Sequence, residues 1–109
     1  MAIHTLQSGA LRVQISDDGA ELMTIQDIAT EKQYLWYGDG KYWGRRSPVL
    51  FPFVGSLKNK EFQYNGKCYP MTQHGFARDM TFRMTEHTVD TIWFSLEANE
   101  ETMEKYPFQ

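Results

Sequence analysis

The sequence predicts an all-β fold with antiparallel strands, and three observations carry that expectation. Aromatic residues are abundant, with seven Phe, six Tyr and three Trp. Together with Val, Ile and Thr they fit a pleated, half-buried surface better than a helix. Every second residue of Leu11-Arg12-Val13-Gln14-Ile15-Ser16 is apolar, the period of a strand covered on one face. Asn65-Gly66 stands between two alternating runs, a pair that favours a tight hairpin because both positions tolerate positive φ. No amphipathic helix, internal repeat or low-complexity stretch interrupts this pattern.

Residues 11–16 are the first expected strand. Asp17-Asp18-Gly19 then supplies a turn. Residues 20–28 read as a second strand of imperfect alternation, with Leu22, Thr24 and Gln26 opposing Met23, Ile25 and Asp27. Ala29-Thr30-Glu31-Lys32 turns the chain again, and residues 33–37 make a third strand of a meander. Gly38-Asp39-Gly40 is a loop, followed by Tyr42-Trp43-Gly44-Arg45-Arg46-Ser47-Pro48. Residues 49–55 are apolar but contain Pro52, which has no N–H to give a ladder. They are expected to form an extended buried segment rather than a regular central strand. Phe62-Gln63-Tyr64 and Lys67-Cys68-Tyr69 flank the Asn65-Gly66 turn. Residues 70–79 read as a loop, and residues 80–85 and 91–98 as a second hairpin. Residues 99–105 are charged and suit one short helical turn, and residues 106–109 read as the start of another apolar strand. Nothing resembles a linker, so residues 1–109 are expected to form a single unit.

A chain of 109 residues suits one domain. Its net charge of −3 excludes a broad nucleic-acid footprint. The single cysteine, Cys68, precludes an internal disulfide and fits a reducing compartment. Within its alternating run Cys68 reads as a small strand residue rather than a nucleophile. The N-terminus lacks the basic start and apolar stretch of a secretory signal. The longest mainly apolar run, 49–54, is too short to span a bilayer. The expectation is a cytoplasmic protein with neither a nucleic-acid nor a membrane partner.

His4, His74 and His87 are isolated from one another, and neither CxxC nor HxxxH occurs, so no metal is expected. No glycine-rich phosphate loop is present. Ser47, Ser56 and Ser95 lack the Gly-x-Ser-x-Gly context of a nucleophile. Two clusters remain, residues 43–53 and 73–79. In Gln73-His74-Gly75-Phe76-Ala77-Arg78-Asp79, an imidazole able to move a proton near neutral pH precedes a rigid guanidinium fork. Gly75 between them permits close approach. Asp79 suits an ion pair or cap that orients the loop. Aromatics beside Arg and His suit a sugar, whose C–H faces stack on rings and whose hydroxyls need donors and acceptors. Trp43, Phe51 and Phe53 suit core packing as well as a site, and Arg45 and Arg46 suit plain surface as well as ligand binding.

Residues 43–55, Tyr64-Asn65-Gly66-Lys67-Cys68-Tyr69 and residues 73–79, in that order and spacing, resemble the aldose 1-epimerase (galactose mutarotase-like) superfamily, in its LacX-like branch. Gly19-Ala20-Glu21-Leu22 is similar to that family's early strand. The resemblance implies an antiparallel β-sandwich with an open sugar cleft, of which this chain carries an incomplete, N-terminal part. It implies that His74 is catalytic, as the first of two active-site histidines, and that Arg78 and one of Arg45 or Arg46 bind substrate oxygens. Gln73 and Phe53 join them as expected substrate contacts. The implied activity is interconversion of the anomers of a hexose or hexose phosphate by acid–base ring opening, without a cofactor. The family's second histidine, the general acid, and its glutamate base have no counterpart up to residue 109. The chain is therefore expected to be inactive alone and to self-associate through an uncovered sheet face. A non-catalytic carbohydrate-binding or regulatory module is the alternative.

Overall fold

The computed structural model describes residues 2–109. Strands β1 (Ile3–Ser8), β2 (Leu11–Ser16) and β3 (Leu22–Asp27) form an antiparallel sheet in that order. Strand β1 is not expected from the sequence. Its half-buried positions are His4 and Leu6, while Ile3 faces outward. A polar residue on the covered side and an apolar one on the open side erase the alternation. The imperfect period of β3 has a cause in the ladder. Gln14 pairs with Thr24 and Ile15 with Leu22, so Met23 is an extra residue that switches faces.

The third expected strand is not formed. Gln33 makes one bridge to Gln26, and Tyr34 N–H donates to the Ile25 carbonyl at 2.8 Å. The chain then leaves the ladder. The Trp36 indole donates to the Trp43 carbonyl at 2.8 Å, and its ring packs 4.8 Å from Tyr37 and 6.4 Å from Tyr42. Aromatic packing within the loop wins over continued pairing. Residues 49–54 form no regular strand, as expected, with only an isolated bridge at Phe51 and bends at Pro52 and Val54, but they are not buried as expected: Val49, Leu50, Phe51 and Val54 are exposed, Pro52 and Phe53 half-buried, and Phe51-Pro52 is cis. Phe53 is half-buried against Phe62 and Tyr106, and the other apolar side chains of the segment are left largely open.

Strands β4 (Glu61–Tyr64) and β5 (Lys67–Pro70) form the expected hairpin, with Tyr64 opposite Lys67. Asn65 and Gly66 both take positive φ, 50° and 76°, as a type I′ turn requires. Strands β6 (Arg83–His87) and β7 (Ile92–Ser95) form the second hairpin, shorter than expected. Residues 80–82 pair elsewhere: Gly19 N–H donates to the Met80 carbonyl at 2.6 Å and Phe82 N–H to the Asp17 carbonyl at 2.7 Å. The turn after β2 is thereby stitched to the loop before β6. Helix α1 (Glu100–Lys105) is the expected short helix, started by a reciprocal Asn99–Thr102 capping box. Residues 106–109 do not form the expected strand. Tyr106 N–H caps the helix on the Thr102 carbonyl, and its ring packs among Phe51, Phe53, Phe62, Phe76 and Phe108.

The buried apolar side chains among the described residues are Tyr69, Met71, Phe76 and Ala77, all around the β5–β6 connection. Principal extents are 56 × 33 × 19 Å and the radius of gyration is 16.6 Å, against about 13 Å for a compact chain of this length. The accessible surface is 7500 Å², against roughly 6300 Å² for a typical monomer of this mass. The fold is the incomplete antiparallel β architecture that the sequence predicts, shaped as a slab.

Candidate functional site

The β5–β6 connection delivers the site. Met71, Phe76 and Ala77 anchor it in the core. Between these anchors, Gly75 N–H donates to the Thr72 carbonyl at 3.0 Å and the Thr72 hydroxyl to the Gly75 carbonyl at 3.2 Å. His74 and Gly75 both adopt left-handed backbone, φ 65° and 76°. Gly75 also forms a bridge with Phe51, so closely that a Cβ there would strike the Phe51 carbonyl. That carbonyl accepts from Phe76 N–H at 3.1 Å and Ala77 N–H at 3.2 Å. His74 N–H donates to the Gly55 carbonyl at 2.9 Å, and Gly55 N–H donates to His74 Nδ1 at 2.8 Å. The two sequence clusters singled out for chemistry are thus hydrogen-bonded to each other.

Residues Ala77–Asp79 form a 3₁₀ turn that presents Arg78. The Arg78 Nε is buried and has no hydrogen-bond partner among the described residues. Arg45 clamps this turn: its guanidinium donates to the Asp79 carboxylate at 2.6 Å and to the Arg78 carbonyl at 3.4 Å. Asp79 therefore makes the orienting ion pair expected of it. Gly19 packs against the same carbonyl, where a Cβ would come within 2.6 Å of the oxygen. The Arg46 guanidinium donates to the Met23 carbonyl at 2.7 Å, and its peptide N–H donates to Glu21 at 2.8 Å. Ser47 is held likewise, by N–H to Glu21 at 3.2 Å and by hydroxyl to the Leu22 carbonyl at 2.6 Å.

One open cleft of about 280 Å³ gathers Gln73, His74 and Arg78 with Trp43, Pro48 and Leu50. Arg45, Arg46 and Phe53 do not line it. Arg45 turns to Asp79, Arg46 to β3, and Phe53 packs 5.2 Å from Phe62 and 6.3 Å from Tyr106. The structure adds Pro48 and Leu50 to the walls, with Glu21 holding the peptide N–H groups of Arg46 and Ser47 just before them. Sequence inspection missed these roles, because an apolar wall residue looks like core. Glu21 was visible only as part of Gly19-Ala20-Glu21-Leu22. No carboxylate lines the cleft, so its polar groups are an amide, an imidazole and a guanidinium. Such a set suits a hydroxyl-rich or anionic ligand, with half-exposed Trp43 offering a stacking face. Among the described residues, no three His, Cys, Asp or Glu side chains stand together to hold a metal ion. No helix among them is long and apolar enough to cross a membrane.

Comparison with known proteins gives a consistent result. The family model described as aldose 1-epimerase matches residues 2–109. The chromosomally encoded protein LacX of Lactococcus lactis subsp. lactis is 33% identical over 109 residues, covering 95% of this chain and 36% of the relative. A galactose mutarotase related enzyme from Lactobacillus acidophilus superposes with a TM-score of 0.96 at 44% identity, over 98% of this chain and 36% of that one. A galactose mutarotase-like protein from Lactobacillus casei gives 0.94 at 34% identity over the same shares. The chain thus spans about a third of the length of the relatives it matches. With its whole described length matched by one family model and its backbone superposing on mutarotase-like structures, the chain belongs to the aldose 1-epimerase family.

Proposed function

We propose that this chain forms the sugar-gripping part of an aldose 1-epimerase-type site and binds a hexose or hexose phosphate in the cleft of Trp43, Gln73, His74 and Arg78. The observation that carries this reading is their convergence in one cleft in a chain of this family. In the corresponding reaction a base takes the proton of the anomeric hydroxyl while an acid protonates the ring oxygen. The ring opens, the aldehyde end rotates, and the ring closes on its other face. His74 and Arg78 would hold substrate oxygens, and no cofactor is needed. Each general acid or base contributes ~10²–10⁴-fold. The cleft has one imidazole and no carboxylate, so the chain alone is expected to bind without appreciable turnover. That observation also favours the second reading, a carbohydrate-binding module. The lone thiol Cys68 supports a cytoplasmic setting.

Polarimetry of freshly dissolved α-D-galactose tests the proposal. The expected result is a mutarotation rate indistinguishable from the spontaneous one, with galactose nevertheless perturbing the amide resonances of residues 73–78. Acceleration approaching that of a full-length relative would refute the division of labour. An absence of any resonance change at high sugar, equally in wild type and His74→Ala, would refute the sugar site itself.

A further inference from the structure

His74 and Gly55 hold each other twice. The His74 peptide N–H donates to the Gly55 carbonyl at 2.9 Å, and the Gly55 peptide N–H donates to the His74 ring at Nδ1, 2.8 Å away. A peptide N–H can only donate, so Nδ1 accepts through its lone pair. In a neutral imidazole with Nδ1 unprotonated, the ring proton sits on Nε2. A proton on Nδ1 would aim one donor at another. The backbone on both sides is committed to this arrangement. Gly55 has φ 85° and His74 φ 65°, and Gly75 is wedged against the Phe51 carbonyl. Left-handed backbone at a residue with a side chain carries some strain, which the hydrogen bonds on both sides of His74 hold in place.

We infer that the Gly55 peptide N–H is a positioning group that locks His74 in its Nε2–H form, so that His74 offers the cleft a hydrogen-bond donor and not a base. Arg78 acts in the same sense. Its guanidinium can only donate, and its Nε is buried without a partner among the described residues. The ligand atoms facing these two side chains are therefore acceptors: a ring, carbonyl, hydroxyl or phosphate oxygen. Abstraction of a hydroxyl proton needs a different group. This consequence for the ligand rests on the reading of the cleft as a sugar site; the tautomer does not.

The test is a long-range ¹H–¹⁵N correlation spectrum of the imidazole rings in the ¹⁵N-labelled chain, at mildly alkaline pH where imidazoles are neutral. The expected spectrum has His74 Nδ1 at the shift of an unprotonated ring nitrogen and Nε2 at that of a protonated one. It also shows a through-hydrogen-bond coupling from the Gly55 amide to Nδ1. A proton on Nδ1, or averaged shifts from two exchanging tautomers, would overturn the inference. D-galactose is then added as the probe. Nε2 and its proton should shift while Nδ1 and the Gly55 amide stay in place. A locked tautomer with no response to galactose counts against the sugar reading alone, so the two failures are distinguishable.

Discussion

At Gly75 the backbone shapes the turn that carries His74. Its positive φ and its contact with the Phe51 carbonyl leave no room for a side chain. Gly75→Ala is expected to destabilise the chain by about 3 kcal/mol, from strained backbone and a forced shift of the 49–55 segment together. The fitting control is Gly55→Ala. That position also has positive φ, but open space surrounds its would-be Cβ, so about 1 kcal/mol is expected. Urea midpoints of the two variants check the difference, and equal losses would contradict it. Asp27 gives a residue-level pH prediction. The Thr30 hydroxyl, donating at 2.5 Å, and then the Thr30 N–H at 2.8 Å hold its carboxyl below the ordinary value of 3.8. Because the folded value is the lower one, this contribution is fully present above the unfolded pKa and is lost as pH falls through the folded one. Thr30→Val should return Asp27 toward 3.8 and flatten that acid-side loss. Carboxyl ¹³C titration reads it directly, and an unchanged midpoint would count against the assignment.

The short elements depend on their end groups. Helix α1 has six residues, far fewer than an isolated helix needs. It is held by the Asn99 cap and by its own buried Thr102, the other half of the capping box. Asn99→Ala is expected to cost about 1 kcal/mol and to move the Cα shifts of residues 100–105 toward random coil. The 3₁₀ turn at Ala77–Asp79 depends on Arg45 in the same way. The Arg45–Asp79 pair is partly exposed, so Arg45→Ala should lower stability by only about 0.2–1 kcal/mol. It should also speed amide exchange at residues 78–80, and unaltered exchange there would show that the clamp is not needed. The Asn65-Gly66 hairpin was legible in sequence because a two-residue turn carries its own conformational signal. The peeling of residues 33–37 from the sheet was not, because Trp36 is held by a bond to Trp43 and by rings later in the chain.

At the scale of the molecule, the slab leaves large apolar side chains in solvent, among them Tyr42, Trp43, Val54 and Trp93. The excess over a typical monomer is roughly 1200 Å², more than the ~800 Å² that one partner contributes to a standard interface. The expected behaviour is self-association through the uncovered face at micromolar concentration. Sedimentation velocity checks this, and a well-folded monomer over the whole concentration range would contradict it. The same thinness explains why Val49, Leu50, Phe51 and Val54, apolar enough to be read as buried, stand exposed. Burial needs a second layer, and composition does not say whether one is present.

By itself the sequence determined the β class, the Asn65-Gly66 hairpin, the short C-terminal helix and the family, because strand period, turn chemistry and motif spacing are local properties of the chain. It also marked Gln73, His74 and Arg78. Only the tertiary structure decided what their neighbours do. Arg45 and Arg46 look alike in sequence, yet one clamps the turn that carries Arg78 and the other is tied to β3. The direction in which His74 presents its proton was likewise decided by Gly55, nineteen residues away. A guanidinium or an imidazole takes its role from the donors and acceptors brought to it in space, and those come from distant parts of the chain.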